Sequence, residues 1–357
     1  MILFFWRSWN SIPVPLPATG SDEYHTAISV IIPARNEEEH IGKLLRALES
    51  QTYPRHLFEI IVIDDHSTDK TTEIVLQFPG VKLFQLKENK INSYKKKAIE
   101  TGIAAASNEL IVTTDADCIP PAAWLQSIVS FREETNAGFI VAPVSFNCNS
   151  KPVEVFQAMD FMVLQGITGA SVYKNTLSMC NGANLAYEKK LFTKVGGFKD
   201  IDHIASGDDM LLMHKIAKKI PERIFYLKAK DAVVSTRPMP TWKQFLNQRI
   251  RWASKATYYD DKKIIGVLLL VYLFNFSFLI LLIAGFWNHF YWIIFLIGWA
   301  AKTSVELPFF YSVAKFFNKQ WAVKFFFVFQ PLHIFYTIFS GLLGQFGKYE
   351  WKGRKVS

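Results

Sequence analysis

Cysteine is scarce, with three in 357 residues: Cys118, Cys148 and Cys180. Their odd number and irregular spacing fit neither a zinc site nor a disulfide framework, so they read as reduced, cytosolic thiols buried for structural reasons. Glycine is missing from Pro33 to Glu38, directly after the first expected strand. That argues against the Gly-rich phosphate loop of a nucleotidyltransferase. No nucleic-acid-binding signature accompanies the net charge of +9, which leaves an anionic membrane surface or an anionic substrate as its partner. No internal repeat runs through the chain and most of it lies outside apolar stretches, so a transporter is poorly supported. The apolar run Met1 to Trp6 is broken by Arg7 and followed by Pro13, Pro15 and Pro17. It neither spans a bilayer nor resembles a cleavable signal, and reads as an interfacial anchor or the remnant of a longer start.

What the chain has in abundance is aromatic and aliphatic bulk. Half of its residues are hydrophobic and 31 are Phe, more than a soluble α/β core needs, and they concentrate after Ile264. Three apolar stretches, Ile264 to Phe286, Phe290 to Val313 and Ala322 to Phe346, each reach the ~20 residues of a bilayer-spanning helix. The second holds Lys302, Glu306 and Pro308, so it is expected to be kinked, re-entrant or split, with Lys302 and Glu306 neutralising each other at i and i+4. Lys262 and Lys263, the loop Lys315 to Lys324 and the tail Lys348 to Lys355 are all basic. Under the positive-inside rule, either the number of spans is even or one basic segment lies outside.

Upstream, the hydrophobic period alternates. Ile28 to Ile32, Ile60 to Ile63, Val81 to Leu86 and Leu110 to Thr114 are β-branched runs expected as strands. Glu37 to Ser50, Ser93 to Ala106 and Ala122 to Glu134 have apolar faces at helical spacing. Strand and helix in turn predict a parallel, doubly wound, Rossmann-like sheet, in which ligands sit beyond the carboxyl ends of the strands. Thr241 to Tyr258, with Trp242, Phe245, Arg249, Arg251, Trp252 and Lys255, reads as an aromatic and basic helix at a membrane interface.

The polar residues that follow the strands carry the chemistry. Asp64-Asp65-His66-Ser67-Thr68-Asp69 can accept hydrogen bonds from a nucleoside, or can simply cap a helix through Ser67, Thr68 or Asp69. Asp115-Ala116-Asp117 places alternate carboxylates where they can share a hard divalent cation with a diphosphate, or stand as exposed turn acids. Gly207-Asp208-Asp209 opens a helix, whose N-terminus favours a carboxylate in the ionised form a general base needs. In Gln248-x-x-Arg251-Trp252, Gln248 and Arg251 share a helix face beside Trp252, which suits a sugar ring and a phosphate, or an ordinary interfacial anchor. Of Lys95, Lys96 and Lys97, only one need point inward, and the others suit a solvated face.

Taken together, these residues resemble the membrane-bound, inverting branch of the family 2 glycosyltransferases, over about Ile28 to Trp252. Ser29-Val30-Ile31-Ile32-Pro33-Ala34-Arg35-Asn36-Glu37-Glu38 is similar to that family's opening strand and nucleotide loop. The resemblance implies nucleotide contacts by Pro33, Arg35, Glu37, Asp65 and Lys95. It also implies Mg²⁺ or Mn²⁺ at Asp117 and Asp115, with Asp209 as base beside Asp208. Acceptor and diphosphate contacts fall to Gln248, Arg251, Trp252 and Asn184. Two departures stand out: Asp208 replaces the usual Glu, and Tyr94 stands where a Gly commonly precedes the Lys.

The expectation is therefore a GT-A type mixed sheet followed by transmembrane helices. Its segments are an apolar, Pro-rich stretch at 1–26, a glycosyltransferase domain at 27–240, the interface helix at 241–262, about three spans at 263–347 and a basic tail at 348–357. The implied partners are a nucleotide-sugar donor, UDP-linked by preference, a lipid or glycan acceptor, and membrane lipids, with no nucleic acid. The catalytic domain is expected on the cytoplasmic side of a bacterial inner membrane. The rival readings are a nucleotidyltransferase and a non-catalytic membrane scaffold that keeps the fold.

Overall fold

The structure is a computed structural model that describes residues 1–15, 24–88, 91, 93–149, 151–177, 179–204, 207–254, 262–346, 349–351 and 354–356. Pro17, Lys255 to Tyr258 and Lys348, which figured in the expectations above, lie outside the described residues. In chain order the first elements are α1 (Ile2–Ser11), β1 (Ile28–Ala34), α2 (Ile41–Glu49), β2 (Phe58–Asp64), α3 (Thr71–Val75), β3 (Val81–Gln85), α4 (Tyr94–Ala105) and β4 (Leu110–Thr113). Then come α5 (Trp124–Thr135), β5 (Phe139–Val141), β6 (Val144–Phe146), α6 (Pro152–Tyr173), β7 (Leu185–Glu188), α7 (Lys189–Lys194), α8 (Met210–Ala217) and β8 (Ile224–Tyr226). β9 (Val234–Thr236), α9 (Trp242–Ala253), α10 (Lys262–Ala284), α11 (Phe290–Phe316) and α12 (Val323–Phe346) follow, and a terminal pair of strands, β10 (Tyr349–Trp351) and β11 (Arg354–Val356), comes last.

The chain forms two compact units. One is an α/β unit of residues 13–145, 178–237 and 350–357, and the other a helical unit of residues 1–12, 146–177 and 238–349. Residues 146–177, which carry α6, thus belong with the apolar helices although they fall inside the 27–240 stretch.

In the α/β unit, seven strands order as β3-β2-β1-β4-β7-β5-β8. β1 pairs in parallel with β2 and β4, and β2 with β3, which is the strand-helix alternation expected from the hydrophobic period. β7 then enters antiparallel to both β4 and β5, which makes the sheet mixed. Five residues of β1 in a row, Ile28 to Ile32, are buried, as a central strand covered on both faces requires. α2 buries Ile41, Leu44, Leu45 and Leu48, one helical stripe, each side chain contributing about 1.5–3 kcal/mol by leaving water. Gly102 lets α4 lie close to the sheet, since a Cβ there would meet Ile31 Cγ2 at 2.5 Å. The register sets Ala34 beside Asp64 and Ile31 beside Thr113, so the segments after β1, β2 and β4 leave one edge of the sheet.

In the helical unit, α10, α11 and α12 underlie three candidate spans, Lys262–Ala284, Phe290–Phe316 and Gln320–Gly344, long and apolar enough to cross a membrane. Lys302 is buried and donates to Glu306 at 2.8 Å and to Gln330 at 2.8 Å, while Gln330 donates to Glu306 at 2.8 Å. α11 runs unbroken through Pro308, so the expected splitting does not occur. With the charges paired inside the bundle, the backbone has no need to open there. The N-terminal apolar run is the start of α1, which packs against α6 and α11. Phe5 and Trp9 are buried, and Trp9 meets Phe316 edge-on at 5.4 Å, while Met1, Leu3 and Phe4 stay exposed.

Candidate active site

Two loops at the strand edge are laced together. Asn36 and His66 adopt left-handed backbone, with φ of 50° and 54°, which turns each loop sharply after its strand. Arg35 donates from Nη1 to the carbonyls of Asp65 at 2.6 Å and His66 at 3.1 Å, and its guanidinium lies 3.9 Å from the Asp65 carboxylate. The Glu37 amide donates to Thr71 Oγ1 at 2.8 Å, and the Thr68 amide to Asn36 Oδ1 at 2.9 Å. Asp69 accepts from the amides of Glu38 and Thr71 and from the Thr71 hydroxyl. Burial alone would raise its carboxyl, but these hydrogen bonds outweigh it and hold the pKa below the ordinary value. Asp69 therefore ties together the two loops that follow β1 and β2, which carry Arg35, Glu37 and Asp65.

The Asp115-Ala116-Asp117 triplet is a tight turn, closed by the Cys118 amide donating to the Asp115 carbonyl at 3.1 Å. Ala116 is buried, and Asp115 and Asp117 are half-buried on either side of it. The Lys95 ammonium reaches Asp115 at 2.7 Å and Asp208 at 3.2 Å. Burial opposes its charge, yet Asp115, Asp208 and then Asp209 overcome this and push its pKa up, so Lys95 is a fixed cation. Asp209 accepts from the Gly182 amide at 3.0 Å and, at the start of α8, from the Met210 amide at 2.7 Å. A Cβ on Gly182 would lie 3.1 Å from Asp208 Oδ2 and 3.5 Å from Lys95 Nζ, so a side chain there would press on this centre. Asp115, Lys95, Asp208, Asp209 and Gly182 thus converge, although long stretches of sequence separate them.

Sequence reasoning needed only one inward lysine, whereas two turn inward. Lys96 is buried and donates to the carbonyls of Ile201 at 2.6 Å and Ile204 at 2.7 Å, which anchors the segment leading to Asp208. Lys97 pairs with Glu88 and Glu100 at the surface. Asn184 is corrected outright. It is fully buried, its amide donates to the carbonyls of Pro143 and Ala232 at 2.8 Å each, and it accepts from Trp124 Nε1 at 2.9 Å. With both donors spent on the framework, it has none to offer a ligand. Two residues were missed. Burial and then Arg237 lower the His40 pKa against the pull of Asp117, so His40 is an electrostatic neighbour of both Arg237 and the triplet. Arg237 follows β9, and no sequence pattern links it to His40.

Among the described residues, no group of three or more His, Cys, Asp or Glu side chains is gathered to hold a metal. The donor set at the triplet, two half-exposed carboxylates, is of the oxygen type that a hard divalent cation takes.

In the helical unit, α9 carries Gln248, Arg251 and Trp252, all half-buried, and its N-cap Thr241 accepts from the Gln244 amide. Arg249 is buried and pairs with Asp160 of α6 at 2.7 Å.

The family model described as Glycosyl transferase family 2 matches residues 29–196. The chain is 26% identical over 239 residues to the "Probable glycosyltransferase YdaM" of Bacillus subtilis, covering 65% of this chain and 55% of that protein. It is 25% identical over 268 residues to the Methanococcus voltae "Dolichyl N-acetyl-alpha-D-glucosaminyl phosphate 3-beta-D-2,3-diacetamido-2,3-dideoxy-beta-D-glucuronosyltransferase", covering 72% of this chain and 80% of that one. The fold is similar to that of a mannosyltransferase from Pyrobaculum calidifontis solved with GDP-Man and Mn²⁺, with a TM-score of 0.54, 21% identity, and coverage of 93% and 94%. The chain thus spans little more than half the length of the Bacillus relative.

Proposed function

From residues 29–196, which match the family model described as Glycosyl transferase family 2, we propose that the chain is a membrane-anchored, inverting glycosyltransferase. It transfers a sugar from a nucleotide-sugar donor, UDP-linked by preference, to a lipid-linked or saccharide acceptor at the cytoplasmic face of a membrane, for cell-surface glycan or glycolipid synthesis. The observation that carries the reading is the convergence of Lys95 with Asp115, Asp208 and Asp209 at the edge where the strands end. The Methanococcus relative, named for a dolichyl phosphate-linked substrate, and the apolar helices support a membrane-delivered acceptor.

In this mechanism the loops after β1 and β2 hold the nucleoside through Pro33, Arg35, Glu37 and Asp65. Asp209, fixed by two backbone amides, takes the proton from an acceptor hydroxyl. The oxygen attacks the anomeric carbon from the face opposite the nucleotide as the bond to the diphosphate breaks, which inverts the configuration. Lys95, a fixed cation, supplies positive charge for that diphosphate. Asp115 and Asp117 would hold a divalent ion, Mg²⁺ or Mn²⁺, which when bound offsets negative charge on the leaving group. Gln248, Arg251 and Trp252 are assigned to the diphosphate and the acceptor.

The test is hydrolysis of UDP-, GDP- and dTDP-sugars by detergent-purified protein with Mn²⁺ or Mg²⁺, beside an Asp117→Ala control. Metal-dependent release of one nucleotide, lost in the control, is the expected result. Release that survives Asp117→Ala would overturn the metal assignment, and folded protein that turns over no donor would favour the scaffold reading.

A further inference from the structure

The helical unit contains a buried polar constellation that the proposed chemistry leaves unused. Asp160, midway along α6, is its hub. It accepts from Arg249 Nη2 at 2.7 Å and from the Tyr336 hydroxyl at 2.9 Å, and His333 Nε2 lies 3.8 Å away. Arg249 and Asp160 are both nearly inaccessible, with side chains 3% and 4% exposed. A lone ion pair so placed is a poor source of stability, because the desolvation of two charges consumes the attraction between them.

The remainder of the Arg249 guanidinium is committed to rings. Its Nε and Nη1 are buried and find no hydrogen-bond partner. The carbon at its centre instead stands 4.1 Å from the centroid of the Trp252 ring and 4.9 Å from that of Phe245. On α6, the residue next to Asp160 is Phe161, whose ring lies 6.1 Å from that of Trp252. One stretch of α6 therefore holds the arginine through Asp160 and flanks the indole through Phe161. Behind the same end of α9, Gly344 of α12 permits close contact, since a Cβ there would come within 2.6 Å of Ala253 Cβ.

We infer that Arg249, locked by Asp160 and Tyr336, is a positioning residue that fixes the ring of Trp252. It acts through the plane of its guanidinium, so its charge alone does not suffice. A lysine can keep the ion pair with Asp160 but has no plane to lay on the indole. The effect on sugar transfer rests on the function proposed above, whereas the effect on the indole does not.

The experiment follows ¹⁹F NMR of 5-fluorotryptophan-labelled full-length protein in detergent, with the Trp252 resonance assigned from Trp252→Phe. Hydrolysis of the UDP-sugar, and its transfer to a polyprenyl phosphate in micelles, are measured alongside. Arg249→Lys is expected to shift and broaden the Trp252 signal and to leave donor hydrolysis within about two-fold. It should raise KM for the polyprenyl phosphate by roughly ten-fold, the weight of a desolvated cation–π contact. In a Trp252→Phe background the same substitution should add little further loss, because its effect runs through the indole. An unchanged Trp252 resonance in Arg249→Lys, or losses that multiply in the double variant, would overturn the inference. Should Arg249→Lys fail to fold, Tyr336→Phe, which removes one bond to Asp160, is expected to move the same resonance less far, and no movement there would also refute it. A wild-type protein that turns over no donor but whose Trp252 signal responds to Arg249→Lys would sink the transferase reading and leave the positioning role standing.

Discussion

Asp209 separates a catalytic base from a helix cap. Replacing it with Asn leaves the side chain the same size and removes its charge. Each carboxylate oxygen now accepts one backbone amide, Oδ2 from Gly182 at 3.0 Å and Oδ1 from Met210 at 2.7 Å. An Asn retains one oxygen and turns an NH₂ towards the other amide, which costs about 1–3 kcal/mol of stability for a donor left without an acceptor. As a base, its loss should cost far more in rate, ~10²- to 10⁴-fold in kcat, or about 2.7–5.4 kcal/mol of barrier. The assay is nucleoside diphosphate release at saturating donor, with thermal unfolding run on the same preparation. Asp209→Ser, which keeps an oxygen for the Met210 amide but cannot serve as a base, should lose as much turnover as Asn while unfolding closer to wild type. Turnover within about ten-fold of wild type in Asp209→Asn, with a lowered unfolding midpoint, would show that the residue only caps α8.

Three further outcomes are expected. Lys302→Met leaves Glu306 its Gln330 bond but takes away its counter-charge, and should lower the detergent unfolding midpoint, whereas adding Glu306→Leu should recover most of the loss. Asn184→Leu removes the bonds to Trp124, Pro143 and Ala232 and should lower stability by roughly 3 kcal/mol while leaving donor KM unchanged in the folded fraction. Acid should destabilise the α/β unit through Glu188 and Asp69. Burial alone would raise Glu188, but Arg223, Lys190 and Arg132 outweigh it, so both carboxyls have folded pKa values below their unfolded ones. Their contribution is complete above the unfolded values, about pH 4, and is lost as pH falls through the folded ones. Unfolding midpoints should hold level from about pH 5 to 7 and drop below about 4, with a shallower drop in Glu188→Gln.

The strands β1 to β4 and the helices between them were legible because each rests on a short-range pattern, β-branched runs and stripes such as Ile41, Leu44, Leu45 and Leu48. The acids after β2 and β4 could be picked out for the same reason, since the place where a strand ends locates them. The three apolar spans were readable from length and composition alone.

Other features depend on residues distant in sequence that only folding brings together. Antiparallel entry of β7 is a choice of pairing, and its short apolar run carries no sign of direction. Asn184 reads in sequence as a loop amide fit for a ligand, and only the packing of Trp124 and of the carbonyls of Pro143 and Ala232 around it reveals a framework residue. The sequence supplied Lys95 as one of three adjacent lysines. The tertiary structure picked it out by setting Asp115 and Asp208 around its ammonium, and turned Lys96 towards two carbonyls instead. In the same way Arg249 looks like one more basic residue on an amphipathic helix until Asp160 arrives from α6. Local pattern reports which face of an element avoids water, but a buried charge is settled by its partner, and the partner is supplied by the fold.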